Sequence, residues 1–403
     1  MTKVFRVGAG VASALGVLAF GVSAASANPI LLPNIPTEIQ HDQAVGAITP
    51  PAPPCPQYSL GISCTPVPET PALGVPYPGN MAYYGGHVQV HPKEYLVYWG
   101  WGEAGAWPSN PTCSSETITE GSLSATLACD PDHAGKYMAD FLQQIGGTSW
   151  AGVQTQYYQA GGQHISNDPD ILAGIWVDDS NPNTLPKTSM SSPAGSSNTL
   201  TVLGREAQAA VAHFGITDLN DANIVIVQPP GLSDPNALSQ GYCAFHDYTY
   251  PGVAGNVYNA VQQGISYSNI PYQLAINSGG VNVCGENAVN KGSAGTRDGF
   301  SIVLGHEMEE TITDPGAEDV VGSSPTYLGG WYDTVDANEN GDKCAWVGLN
   351  PLTGQGTIPI AGALGDIQGN AGETFAVQSL WSNAANLGTG YCGGVNDSPL
   401  PTG

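Results

Sequence analysis

Apolar positions along the chain fall into blocks of different period. In residues 132–145, Ala134, Tyr137, Met138, Phe141, Leu142 and Ile145 recur at i, i+3, i+4, i+7, i+8 and i+11, one face of a helix stopped by Gly146 and Gly147. A second helix is predicted over 201–214, ending at Gly215. A third covers 298–313, "DGFSIVLGHEMEETIT", with Phe300, Val303, Leu304, Met308 and Ile312 turned to the core. Asp298 caps its start, and Pro315 prevents continuation beyond Asp314. Aromatic and β-branched runs at 94–101, 223–228, 242–248 and 265–272 read as strands. "HVQVH", residues 87–91, also reads as a strand, on which His87 and His91 would lie about 13 Å apart, too far to share an ion. Helices and strands alternate irregularly between long Gly/Asn/Ser loops, without a repeat of fixed period, so an α+β domain is expected.

The ends differ in texture. Residues 28–80 carry 13 prolines, centred on "PPAPP", and read as an extended lead-in or removable pro-segment, not as helix or central strand. Before it, Lys3 and Arg6, an apolar run from Val7 to Val22, and Ala25-Ser26-Ala27 form a secretory leader over 1–27, with cleavage before Asn28. The globular domain then runs 81–396, and 397–403 is a flexible tail. No later stretch reaches the roughly 18 apolar residues of a membrane span, so neither insertion nor an anchor is expected. An extracellular protein follows, and its eight cysteines then read as disulfides. Nearest-neighbour pairing gives 55–64, 113–129, 243–284 and 344–392.

Charge narrows the function classes. Lys and Arg total 9 against 34 Asp and Glu, and losing Lys3 and Arg6 with the leader leaves seven cations. Nucleic acid and anionic membranes would be repelled by such a surface. Cation binding is the sharper alternative to simple solubility, and it depends on local clustering.

The third helix supplies that clustering. "GHEMEETITDP" (305–315) differs from the zinc-hydrolase pattern H-E-x-x-H by one letter, Glu310. His306 and Glu310 are four apart, on one face, where two side chains can reach one ion. Zinc accepts carboxylate oxygen as well as imidazole nitrogen. Glu307, one position on, stands where a general base would take a proton from an activated water. Glu307, Glu309, Glu310 and Asp314 also crowd the negative end of the helix dipole, at roughly 0.3–1 kcal/mol each, and a cation would reverse that cost. The expected fold is therefore a single zincin-like α+β domain with a mixed, mostly buried sheet.

A catalytic zinc needs a third protein ligand. Asp314 is nearest in sequence, but a straight helix would place it about 12 Å along the axis from His306, so it serves only if the chain turns after Thr311. Asp333 and Glu339, in the acidic stretch before Cys344, are alternatives, and His246 in "GYCAFHDY" is the outside candidate. "DANENG" (336–341) matches the first half of a calcium loop, but its twelfth position is Val347, so an EF-hand fails and only a looser Ca2+ site near Asp336, Asn338 and Asn340 remains. There is no G-x-S-x-G elbow, P-loop or dinucleotide fingerprint.

Several segments together resemble a known family. "YYGGHVQVHPKEYLVYWGWG" (83–102), "NIVIVQPPG" with "GYCAFHDY", "GWYDTVDANENGDKCAW" (330–346) and "LWSNAANLGTGYCGG" (380–394) resemble the secreted Exordium, or phosphate-induced, proteins and their microbial relatives. The resemblance is patchy over 80–394 and implies an extracellular, disulfide-bearing fold. At the H-E-x-x-E helix alone the chain resembles zinc metallopeptidases. Two function classes follow. One is a secreted zinc-dependent hydrolase acting on protein or peptide. The other is a non-catalytic cell-wall or glycan-associated protein, with Trp99, Trp101, Trp107 and Trp331 as sugar-stacking surfaces.

Overall fold

A computed structural model describes residues 80–109, 111–180, 201–233, 237, 242–249, 264–278, 280–315, 329–333, 338–344, 364–388 and 390–393. The 55–64 cysteine pair, the leader and the proline-rich segment lie outside these residues.

Five strands form the central sheet: β1 (Lys93–Trp99), β2 (Leu172–Asp178), β3 (Ala222–Val227), β4 (Phe245–Thr249) and β5 (Ile265–Ile270), in the order β2-β1-β3-β5-β4. The first four in that order are mutually parallel, and β4 closes the edge antiparallel to β5. Every residue of β3 is buried, as its unbroken "ANIVIV" run requires for a strand paired in parallel on both sides. Helix α1 (Ala134–Ile145) connects β1 to β2, and α2 (Val202–Phe214) connects β2 to β3. Apart from small hairpins at 116–127 and 158–164, the first half is thus a β-α-β-α-β alternation, more ordered than expected, because β2 was not apparent in the sequence. Thr201 caps α2 by accepting the Gly204 N–H at 2.9 Å, and Gly215 ends it with φ 67°.

Helix α3 (Asp298–Thr313) has the limits expected from the sequence, and all its residues are buried. Side-chain alternation on the sheet separates its layer from that of α2. Tyr267 Oη meets the α2 cap residue Thr201 at 3.2 Å, whereas its neighbour Ser266 donates to the carbonyl of Pro315, just beyond α3. The hairpin β6 (Leu364–Gln368) and β7 (Thr374–Gln378) packs along α3, where Ser301 Oγ donates to the Ala376 carbonyl at 2.6 Å. Gly305 lets α3 approach the rings of Trp150 and Phe141, since a Cβ there would lie 3.0 Å from Trp150.

Cys113–Cys129, Cys243–Cys284 and Cys344–Cys392 are disulfides, as nearest-neighbour pairing predicts. "HVQVH" is not a strand: Gln89 N–H instead donates to the Ile312 carbonyl at 2.9 Å, tying this segment to the end of α3. Trp99, Trp101 and Trp331 are 1–4 % exposed, so the expected sugar-stacking surface is core instead, and Trp107 packs edge-on against Trp101 and Tyr272. No helix among the described residues is long and apolar enough to cross a membrane.

Two buried groups set opposite pH limits on this fold. Burial pushes the Glu94 carboxyl from 4.5 up to about 8, partly offset by a hydrogen bond from Asn223 Nδ2. Burial lowers the His87 imidazole to about 4. The Glu94 contribution is complete below its unfolded value near 4.5 and is lost as pH rises toward 8. The His87 contribution is complete above about 6.5 and is lost as pH falls toward 4. Glu206 and Asp130, raised by burial to about 9 and about 6, add to the loss with rising pH, so thermal stability should fall from about pH 5 to 8. Within its window Glu94 changes stability by roughly 1.4 kcal/mol per pH unit. Glu94→Gln is expected to flatten the alkaline limb in melts from pH 5 to 8; an unchanged slope would remove Glu94 as its cause.

Candidate metal centre

Two turns of α3 carry His306, Glu307 and Glu310 toward the antiparallel edge of the sheet, where β4 presents His246. From the other side the segment 338–344 brings Glu339 and Asp342. His246 Nδ1 lies 3.3 Å from Glu307 Oε2 and 3.6 Å from Glu310 Oε2, and its Nε2 lies 3.4 Å from Glu339 Oε1. His306 Nε2 lies 2.9 Å from Glu310 Oε1 and 3.6 Å from Asp342 Oδ1. Ligand atoms of His246, Glu310 and Glu339 lie within 4.8 Å of one another, as do those of His306, Glu307 and Glu310.

Of these contacts only His246 Nδ1 to Glu307 Oε2 is a hydrogen bond. His246 Nε2, His306 Nε2, Glu307 Oε1, Glu310 Oε2 and Glu339 Oε1 are all buried with no hydrogen-bond partner. An orphaned buried polar atom costs about 1–3 kcal/mol, more when charged, so five at one point require a further explanation. A divalent cation could be held among them and would supply it, since imidazole nitrogen and carboxylate oxygen are metal donors.

Groups behind the donors are already arranged. His306 Nδ1 lies 3.1 Å from Gln378 Oε1, an acceptor, so the proton sits on Nδ1 and the Nε2 lone pair faces the cluster. Gln378 is held in turn by donating to the Gly341 carbonyl at 2.7 Å. The backbone N–H of Asp342 donates to Glu310 Oε1 at 2.8 Å. Cys243 stands three residues before His246 and Cys344 two after Asp342, so two disulfides brace the incoming segments.

Without an ion, protons would have to reconcile this crowding. Burial alone would lower both imidazoles, but facing carboxylates outweigh it and raise them well above the usual value: Glu310 and Asp342 for His306, and Glu339, Glu307 and Glu310 for His246. Burial raises the Glu310 and Glu339 carboxyls, reinforced by Asp342. A cation would replace those protons.

The other candidates have different tasks. Asp314 does not reach the cluster: its Oδ1 accepts the Gly330 N–H at 2.7 Å where the chain turns after α3. Asp333 is paired with Lys343 Nζ at 2.8 Å, which also lies 4.4 Å from the centroid of the Trp381 ring. Glu309, fully buried and raised by desolvation, hydrogen-bonds Gln154 on another face of α3. Asn340 donates to Gln154 Oε1 at 2.9 Å, and Asp336 lies outside the described residues, so the calcium expectation is only partly covered. Asp342 falls within the 333–342 stretch expected to supply a third ligand, whereas Gln378 was not expected. Asp342 was visible only as one acid among several, and Gln378 carried no motif.

No family model matches the chain, and neither a curated protein nor a solved structure matches it significantly.

Proposed function

We propose that the protein is a secreted zinc-dependent hydrolase of the peptidase kind. The supporting observation is the convergence of orphaned donors from His306, Glu310 and their neighbours beside Glu307. His306, Glu310 and Asp342 would hold the ion. Zinc supplies a Lewis acid that polarises a carbonyl and makes water more acidic. Glu307 then accepts the water proton at its carboxylate, with His246 Nδ1 orienting it from 3.3 Å. The leader and the three disulfides support action outside the cell.

The test is metal content by mass spectrometry on the oxidised protein, with cleavage of a peptide library before and after chelation. Bound zinc that is lost in His306→Ala, with chelator-sensitive cleavage, is the expected result. A protein that takes up no zinc at neutral pH would overturn the proposal. One observation favours a second reading: every donor is buried, as in a structural metal site. Under that reading chelation lowers Tm by several degrees, and no cleavage is found at any zinc occupancy.

A further inference from the structure

The same donors exceed what one ion uses. They divide into two groups, His306 with Asp342 and His246 with Glu339, and Glu310 stands between them. Its Oε1 is 2.9 Å from His306 Nε2, while its Oε2 is 3.6 Å from His246 Nδ1 and has no hydrogen-bond partner, and ligand atoms of Glu310, His246 and Glu339 lie within 4.8 Å of one another. A carboxylate whose two oxygens face two separate imidazoles is arranged as a bridge. We infer that the centre binds two divalent cations, one at His306 and Asp342, the other at His246 and Glu339, with Glu310 bridging them.

Charge favours two ions over one. Glu307, Glu310, Glu339 and Asp342 bring four carboxylates into one buried volume. Among the described residues the neighbouring cation, Lys343, is directed at Asp333 and Trp381. One dication with neutral imidazoles leaves two negative charges uncompensated, each costing several kcal/mol of desolvation. Two dications balance all four, and neither histidine need be protonated.

The tautomers agree with this division. His306 places its proton on Nδ1 toward Gln378, leaving Nε2 for the first ion. His246 can place its proton on Nδ1 toward Glu307 Oε2, leaving the orphaned Nε2 beside Glu339 for the second. Glu307 then remains a base and not a ligand, and paired ions about 3.5–4 Å apart are an established arrangement for stabilising both attacking and leaving oxygens in hydrolysis.

This inference rests on the proposed metal centre, and metal stoichiometry separates the two. The oxidised full-length protein is titrated with Zn2+ and examined by native mass spectrometry; a Mn2+-loaded sample is examined by EPR for exchange coupling between bridged ions. Two ions per chain with a coupled Mn2+ signal are expected. Glu339→Gln, nearly isosteric, should bind one ion, lose the coupled signal and keep a wild-type circular dichroism spectrum. One ion per chain at saturating zinc would overturn the inference and leave the proposed function standing. Two ions retained in Glu339→Gln would also overturn it. No ion at all would remove both.

Discussion

Glu307→Gln is expected to keep its zinc and lose hydrolysis by about 10²–10⁴-fold in kcat, the usual contribution of a positioned general base. An amide has nearly the shape of a carboxylate but cannot take a proton. Its oxygen can still accept from His246 Nδ1, now 3.3 Å from Glu307 Oε2, so α3 and the sheet edge should remain in register. Glu307 is next to His306 along the helix, and Glu307 Oε1 has no hydrogen-bond partner, which leaves it open to a water. Metal content, kcat and KM measured together decide the outcome. Lost zinc would make Glu307 a ligand; full activity would exclude it as the base.

Gly341→Ala should have the second largest effect, although the residue has no functional group. A Cβ at this position would lie 2.8 Å from Glu310 Oε1, 2.9 Å from His306 Nδ1 and 3.1 Å from His306 Cγ. Both side chains are held, Glu310 by the Asp342 N–H and His306 by Gln378, so neither can yield without leaving its geometry. Disturbing groups that orient ligands typically costs 10–100-fold in metal affinity. A fall of that size is expected in competition with a chromophoric chelator. Stability without metal should drop only by the roughly 1–3 kcal/mol of an overpacked site. Unchanged affinity would show that the loop moves freely from the helix. This glycine resembled the turn position of a calcium loop; the structure gives it another task, letting loop backbone press against the face that carries the ligands.

Much of the scaffold was legible because its signals are local. Helix α3 could be delimited from its 3.6-residue apolar period and Pro315, although Asp298 does not cap it and its carboxylate accepts the Val289 and Asn290 N–H groups instead. The three described disulfides followed from sequence order. Strand β2, "LAGIWVD", was not singled out from the sequence, and Gly174 interrupts its apolar run. In the fold that glycine admits the Phe214 ring, which would come within 2.5 Å of a Cβ. Pattern alone does not distinguish a glycine that breaks a strand from one that lets a ring cross it.

The candidate site divides the same way. His306, Glu307 and Glu310 followed from sequence, because four-residue spacing on a helix brings side chains together whatever surrounds them. Among the candidate partners His246 and Glu339 do reach them, but spacing could not choose these over Asp314 and Asp333. Asp314, nearest along the chain, turns to Gly330, and Asp333 is taken by Lys343. His246 arrives across the sheet from a strand some 60 residues earlier, and Asp342 from a segment that stacks onto α3 only because Gly341 lacks a side chain. Sequence by itself determined which helix brings His306, Glu307 and Glu310 together, since helical spacing is a short-range property. Tertiary structure decided which distant groups meet it, since strand order, loop packing and the pairing of competing charges depend on the whole chain.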